Sequence, residues 1–136
     1  MKVSSKAEYA CLALIALAQH GASRPALRTR EIAELQGIPR QFLSQILLRL
    51  KVAGLVRSHR GATGGYRLSR PAEQISLAEI LTAIDGADKA PRESRRPSIR
   101  ELLPILEQVR AARRTVLESA TVATLVELAQ PRDWVI

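Results

Sequence analysis

Acidic residues are missing from positions 35–72, yet the same stretch carries Arg40, Arg49, Lys51, Arg57, Arg60, Arg67 and Arg70. Cysteine is nearly absent too. Cys11 stands alone, which excludes an intrachain disulfide framework and fits a reducing compartment. Aromatic residues make up only 3% of the chain, so the core must be built from Leu, Ile, Val and Ala, a palette that favours packed helices. The apolar stretch Ala10–Ala18 is too short to span a bilayer and has no cleavage-site pattern behind a basic leader. These absences predict a cytoplasmic protein with no membrane partner.

What is present narrows the class further. A chain of 136 residues that is 46% hydrophobic can bury one core, with an appended arm. The net charge of +8 points to a polyanionic partner. Residues 1–87 hold 12 Lys and Arg against 6 Asp and Glu, whereas residues 88–136 hold 9 against 7. The positive field therefore belongs to the first two-thirds of the chain.

Ser5-Lys6-Ala7-Glu8 has the spacing of a capping box, with Ser5 as N-cap of a helix running to about His20. That helix is apolar nearly all round, so it needs burial on two sides, one against its own domain and one against a partner. Thr29 is the predicted cap of a short helix over Thr29–Gln36, stopped by Gly37. Pro39 suits the first position of a second helix, to Ala53. Leu43, Ile46, Leu47 and Leu50 share one face of it, and Arg40, Gln41, Ser44, Gln45 and Arg49 the opposite one. Two helices about a short glycine-containing turn make a helix-turn-helix.

Leu55–His59 and Tyr66–Ser69 read as strands joined by Arg60-Gly61-Ala62-Thr63-Gly64-Gly65. Ser76-Leu77-Ala78-Glu79 is a second capping box, opening a helix to Asp85 with Gly86 as stop. The predicted fold is mainly α with a small β-hairpin wing. Residues 1–86 form a winged helix-turn-helix DNA-binding domain, 87–97 a charged, proline-punctuated flexible linker, and 98–136 a dimerisation helix and a short C-terminal helix. Ser98 is the predicted cap of that long helix, with Pro104 kinking its first turn or delaying its start. Its stripe of Ile99, Leu102, Leu103, Leu106, Val109, Val116 and Leu117 cannot be buried alone. Packing it on the first helix of a second copy gives a twofold dimer, with Leu14, Leu102, Leu106, Val109 and Val116 at the interface.

The exposed start of the helix Pro39–Ala53 offers Arg40, Gln41, Ser44 and Gln45 to a major groove, where Arg pairs with guanine and Gln with adenine. Any surface helix carries such residues; the acid-free basic hairpin beside it turns the balance toward double-stranded DNA. Arg57, His59 and Arg60 line that hairpin. Gly61, Gly64 and Gly65 let its tip approach a minor groove, and Tyr66 anchors its base. Lys6, Tyr9 and Thr29 are candidate phosphate contacts, Tyr9 serving equally well as a half-buried core ring. The glycines lack the Lys-Ser/Thr of a nucleotide-binding loop. His20 and His59 have no carboxylate at motif spacing, so an enzyme finds no support. Cys11, inside an apolar helix face, reads as a small hydrophobe.

Ser5-Lys6-Ala7-Glu8-Tyr9-Ala10, Ile32-Ala33…Gly37-Ile38, Leu43-Ser44-Gln45-Ile46-Leu47…Leu50, Gly54-Leu55-Val56 and above all Arg60-Gly61-Ala62-Thr63-Gly64-Gly65-Tyr66 resemble the Rrf-type (IscR/NsrR-like) winged-helix transcriptional regulators. The resemblance covers residues 1–86 with diagnostic motifs and extends weakly to Leu128. It implies a homodimer, more a repressor than an activator, on a palindromic operator, with the third helix in the major groove and the wing in the minor. Many members hold an iron–sulfur cluster through three cysteines after the fourth helix; here Ala87 to Ile105 contains none. No cofactor and no metal site are expected, and the signal is left to a small-molecule or protein effector. A winged-helix protein-interaction module and a small-molecule-gated sensor stay open as alternatives.

Overall fold

The computed structural model describes residues 2–21, 23–24, 26–87 and 100–130. Helix α1 (Ser5–His20) is capped by Ser4 rather than Ser5: the Ser4 Oγ accepts the Ala7 N–H at 3.1 Å. With the cap one residue earlier, Glu8 falls beyond the position that closes a capping box. Alanines at 7, 10, 13 and 16 let neighbouring elements approach closely around Leu14, Ile15 and Leu17.

Helix α2 (Thr29–Gln36) also starts one residue off the predicted pattern. Arg28 is its N-cap and Thr29 its first helical residue, while the Glu31 carboxylate accepts the Arg28 N–H at 3.2 Å. Gly37, at φ +65°, ends α2. Helix α3 (Arg40–Val52) follows at once, capped by Pro39, so it is one residue shorter at each end than the sequence reading. Leu43, Ile46, Leu47 and Leu50 are almost wholly buried and point into the core. Burial of each such side chain contributes about 1.5–3 kcal/mol.

Strands β1 (Val56–His59) and β2 (Gly65–Leu68) pair antiparallel, with Val56 opposite Leu68 and His59 opposite Gly65. Leu27 adds a one-residue third strand. Its N–H and C=O bond the C=O and N–H of Tyr66 at 2.9 and 2.7 Å, tying the hairpin to the segment before α2. After a 3₁₀ turn at Ala72–Gln74, α4 (Leu77–Asp85) opens on the capping box predicted for it. The Glu79 N–H donates to Ser76 Oγ at 3.1 Å and the Ser76 N–H to the Glu79 carboxylate at 3.0 Å.

The predicted linker, apart from Ala87, lies outside the described residues, as do Ser98 and Ile99. Helix α5 (Leu103–Ser119) carries Pro104 in its first turn, so the proline delays the helix rather than kinking it. Helix α6 (Val122–Ala129) is capped by Thr121 and returns to the core. The Leu77 N–H donates to Ala120 at 2.8 Å and the Val122 N–H to Ile75 at 2.9 Å, fixing this return beside the start of α4.

This return changes the expected surroundings of α1. It packs on α2, α3, α4 and β2, and α6 of the same chain covers it as well. Leu14 is fully buried within one chain, so it cannot touch a partner, contrary to the interface predicted for it. Helix α5 lies on α4 and has no buried residue in the single chain. Leu103, Arg110, Arg113 and Leu117 form its half-buried inner side, whereas Leu102, Ile105, Leu106, Val109 and Val116 are exposed. Leu103 and Leu117 thus leave the predicted outer stripe, and Ile105 joins it.

Candidate nucleic-acid interface

The inward leucines and isoleucine of α3 leave Arg40, Gln41, Ser44 and Gln45 on its exposed side. Ser44 Oγ donates to the Arg40 carbonyl at 3.1 Å, back-bonded along the helix. Arg49, assigned to the same polar face, is engaged elsewhere: its Nη1 donates to the Ile84 carbonyl at 2.9 Å. That bond satisfies one of the carbonyls left open at the C-terminus of α4. Arg49 therefore holds α3 against α4 and does not offer a free guanidinium.

The hairpin presents Arg57, Ser58 and His59 on β1, and Arg67 on β2, to solvent. Arg57 and Arg67 stand directly opposite each other. Like charges so placed repel, a cost that a bound polyanion would offset. Arg67 belongs to the basic stretch but not to the expected DNA contacts, although a period-two reading of the paired strands places it on the same exposed face as Arg57. Arg60 and Gly61 are exposed at the tip, Gly61 at φ +103° with open space around it.

Gly64 and Gly65 have a different role from the one expected of them. Gly64 is buried in the turn, where a Cβ would come within 2.6 Å of the His59 carbonyl oxygen. At Gly65, with φ +140°, it would lie 2.5 Å from the Leu27 carbonyl carbon and 2.9 Å from the Arg28 nitrogen. Both glycines are demanded by backbone packing inside the protein. Tyr66 does anchor the base of the wing, through its backbone bonds to Leu27 and a ring packed against the core. Arg28, also missed from sequence, donates to the Ala62 carbonyl at 2.9 Å and ties the wing turn to the start of α2.

Of the seven cations in the acid-free stretch, Arg70 is the second one absorbed by the fold. It donates to the Gln74 carbonyl at 3.0 Å and pairs with Glu79 at 2.9 Å. Arg40, Lys51, Arg57, Arg60 and Arg67 have no ion-pair partner among the described residues. Thr29 is half-buried at the start of α2. Lys6 is exposed and Tyr9 half-buried against the core in the first turns of α1. That end of α1 is held to α4 by a hydrogen bond from Ser4 to Asp85, whereas the wing lies near Leu17 and Ala18. The two ends are roughly 16 Å apart along the axis, so Lys6 and Tyr9 do not join the wing cluster.

No three His, Cys, Asp or Glu residues converge as metal ligands among the described residues. Cys11 is half-buried in α1, and burial, helped by the nearby Glu8 charge, pushes its thiol up to about 11. A thiol so raised is a poor nucleophile and a poor ligand. Among the described residues no helix is long and apolar enough to cross a membrane.

A helix-turn-helix followed at once by a two-stranded hairpin defines the winged-helix class of DNA-binding protein. The model of the Rrf2 family, described as an iron-dependent transcriptional regulator, matches residues 3–128. Rv1287 of Mycobacterium tuberculosis, which bears the provisional name of an HTH-type transcriptional regulator, is 41% identical over 137 residues, covering 96% of this chain and 84% of the relative. The HTH-type transcriptional regulator IscR of Xenorhabdus nematophila is 40% identical over 92 residues, 68% of this chain and 56% of that protein. Among solved structures, CymR (YrzC), the global cysteine regulator of B. subtilis, has a TM-score of 0.81 at 29% identity, over 96% of this chain and 99% of that one. T. potens IscR has a TM-score of 0.78 at 30% identity, over 100% and 93%.

The chain belongs to the Rrf2 family. It is a DNA-binding transcriptional regulator and not an enzyme. The iron in the family's description does not fit the donor set here. An iron–sulfur cluster is held by several thiolates, and this sequence has one cysteine, in a helix core-facing enough to suppress its thiolate.

Proposed function

We propose that this regulator is a homodimeric repressor that grips a palindromic operator, with α3 in the major groove and the wing tip in the adjacent minor groove. The observation that carries the reading is the pairing of an outward polar face on α3 with exposed, unpaired guanidinium groups at Arg57, Arg60 and Arg67. Side-chain amides and guanidinium groups on a groove-sized helix read base edges, while wing cations neutralise phosphates. An interaction module would need those arginines neutralised or buried; they are exposed, and no described residue forms an ion pair with them.

The dimer rests on α5. Leu102, Ile105, Val109, Ala112 and Val116 alternate at spacings of three and four, the seam of a two-stranded coiled coil, and all five are exposed in the single chain. A twofold axis through that seam would set two wings and two copies of α3 on one duplex. Binding selection from sheared genomic DNA should return a motif of two half-sites, with affinity falling steeply with salt. Random duplex bound as tightly as any selected fragment would overturn the proposal.

A cavity of ≈ 420 Å³ favours a second, additive reading as a small-molecule-gated sensor. It lies between the segment before α1, α4 and α5, and mixes apolar Val3, Leu81 and Leu117 with charged Lys2, Asp85 and Glu118. That size suits a metabolite. Saturation to about 100 times the dissociation constant would add about 2.7 kcal/mol of stability, so a thermal-shift panel tests it.

A further inference from the structure

The outward face of α3 carries an apolar residue in its second half, Leu48. Leu43, Ile46, Leu47 and Leu50 fix the direction of the core. At about 100° per residue, the opposite direction falls between Gln41 and Val52, with Leu48 and Gln45 about 30° to either side of it. Leu48 is 58% exposed. A single exposed leucine needs no explanation by itself. This one stands on the outward face of α3, two turns after Gln41 and one turn after Gln45.

The charge around Leu48 says what kind of partner covers it. Arg40 and Lys51 share the exposed surface of α3, and Arg57 and Arg60 follow on the wing, all without acidic partners among the described residues. A surface of that sign takes a polyanion. On the floor of the DNA major groove the apolar group available is the C5-methyl of thymine. We infer that Leu48 is a specificity-determining residue that packs on a thymine methyl, next to the base pairs met by Gln41 and Gln45. Leucine offers no hydrogen bond, so a cytosine placed there would lose water from its N4 amino group and gain no acceptor in return. The position is read as thymine by shape and polarity. This inference rests on the proposed DNA-binding role of α3.

The test uses the full-length protein and its selected operator, with each half-site thymine replaced singly by uracil, a change that deletes only the methyl. Wild type should lose affinity roughly fourfold at one or two thymines, the factor matching about 0.8 kcal/mol for one buried methylene-sized group. Leu48→Ala should bind the parent operator more weakly by a similar factor, be indifferent to uracil at those positions and keep the wild-type salt dependence. Leu48→Met, which keeps an apolar contact, should stay sensitive to the methyl. Both variants should melt near the wild type because the site is exposed.

The inference fails if wild type tolerates uracil at every position. It also fails if Leu48→Ala keeps full sensitivity, or if Leu48→Ala binds like wild type, the result expected were Leu48 reserved for a protein partner. Absence of any preferred duplex is a separate result that sinks the DNA-binding role of α3 and this inference with it.

Discussion

Replacing Gly65 with alanine tests whether the wing is held by the contact that the structure assigns to its base. The residue sits at φ +140°, which an alanine adopts only at a cost of about 1–3 kcal/mol. The new methyl would also meet the Leu27 carbonyl carbon at 2.5 Å and the Arg28 nitrogen at 2.9 Å, both backbone atoms that cannot swing aside. Relief requires opening the Leu27–Tyr66 bridge, whose two hydrogen bonds contribute about 0.5–1.5 kcal/mol each. Gly61→Ala is the matched control, since Gly61 has φ +103° but open space around it. It should suffer the backbone cost alone. The two variants should therefore differ by about 1–3 kcal/mol. In a domain of this size that separates their melting temperatures by roughly 4–12 °C, Gly65→Ala being the lower. Thermal unfolding followed by circular dichroism reads the difference directly. If the two melt within about 2 °C of each other, the bridge is not what secures the wing.

Arg67→Ala should weaken operator binding about equally for all sequences and reduce the slope of log affinity against log salt by about 1. Arg70→Ala, whose guanidinium is committed to Gln74 and Glu79, should lower the melting temperature and leave that slope unchanged. Val109→Glu sets two carboxylates against each other across the proposed α5 seam, so sedimentation should show a monomer with an intact circular dichroism spectrum; a persistent dimer places the interface elsewhere. The Glu31 carboxyl is held below its ordinary value of 4.5 chiefly by the Arg28 backbone N–H, against a desolvation cost and with help from Arg24. Its contribution to stability is therefore present above 4.5 and lost as pH falls through the lower, folded-state value. Glu31→Gln should melt below wild type at pH 7, and the gap should close as the pH is lowered past 4.5; a gap constant down to pH 3 contradicts the assignment.

Those predictions divide along the line between what local sequence specifies and what only the assembled chain reveals. The capping box at Ser76 and Glu79 was readable because a single serine stands at the right spacing from a single glutamate. At Ser4-Ser5 two equivalent hydroxyls compete, and the choice goes to Ser4, whose neighbourhood also contains Asp85 from the far end of α4. The helix-turn-helix and the wing were legible from apolar spacing and glycine placement, with boundaries off by one residue. The surroundings of α1 were not. Its second apolar face looked unpartnered because α6 lies more than 100 positions downstream, and no periodicity says that the chain returns there.

Charge behaves in the same way. Seven cations in an acid-free stretch mark a basic surface, but sequence does not say which of them the fold consumes. Arg49 goes to the open carbonyl of Ile84 at the C-terminus of α4, and Arg70 pairs with the carboxylate of Glu79 in its first turn. Gly64 and Gly65 follow the same logic, since their missing side chains make room for protein backbone rather than for a ligand. The surface we propose for a duplex is therefore centred on Arg40, Gln41, Ser44 and Gln45 of α3 and on Arg57, Arg60 and Arg67 of the wing. If that reduced set is right, Arg49→Lys should behave as a stability variant. Lysine can still reach a carbonyl but lacks the planar donor fork, so it should lower the melting temperature while leaving base preference in a binding selection unchanged. A shifted preference at the operator would return Arg49 to the groove.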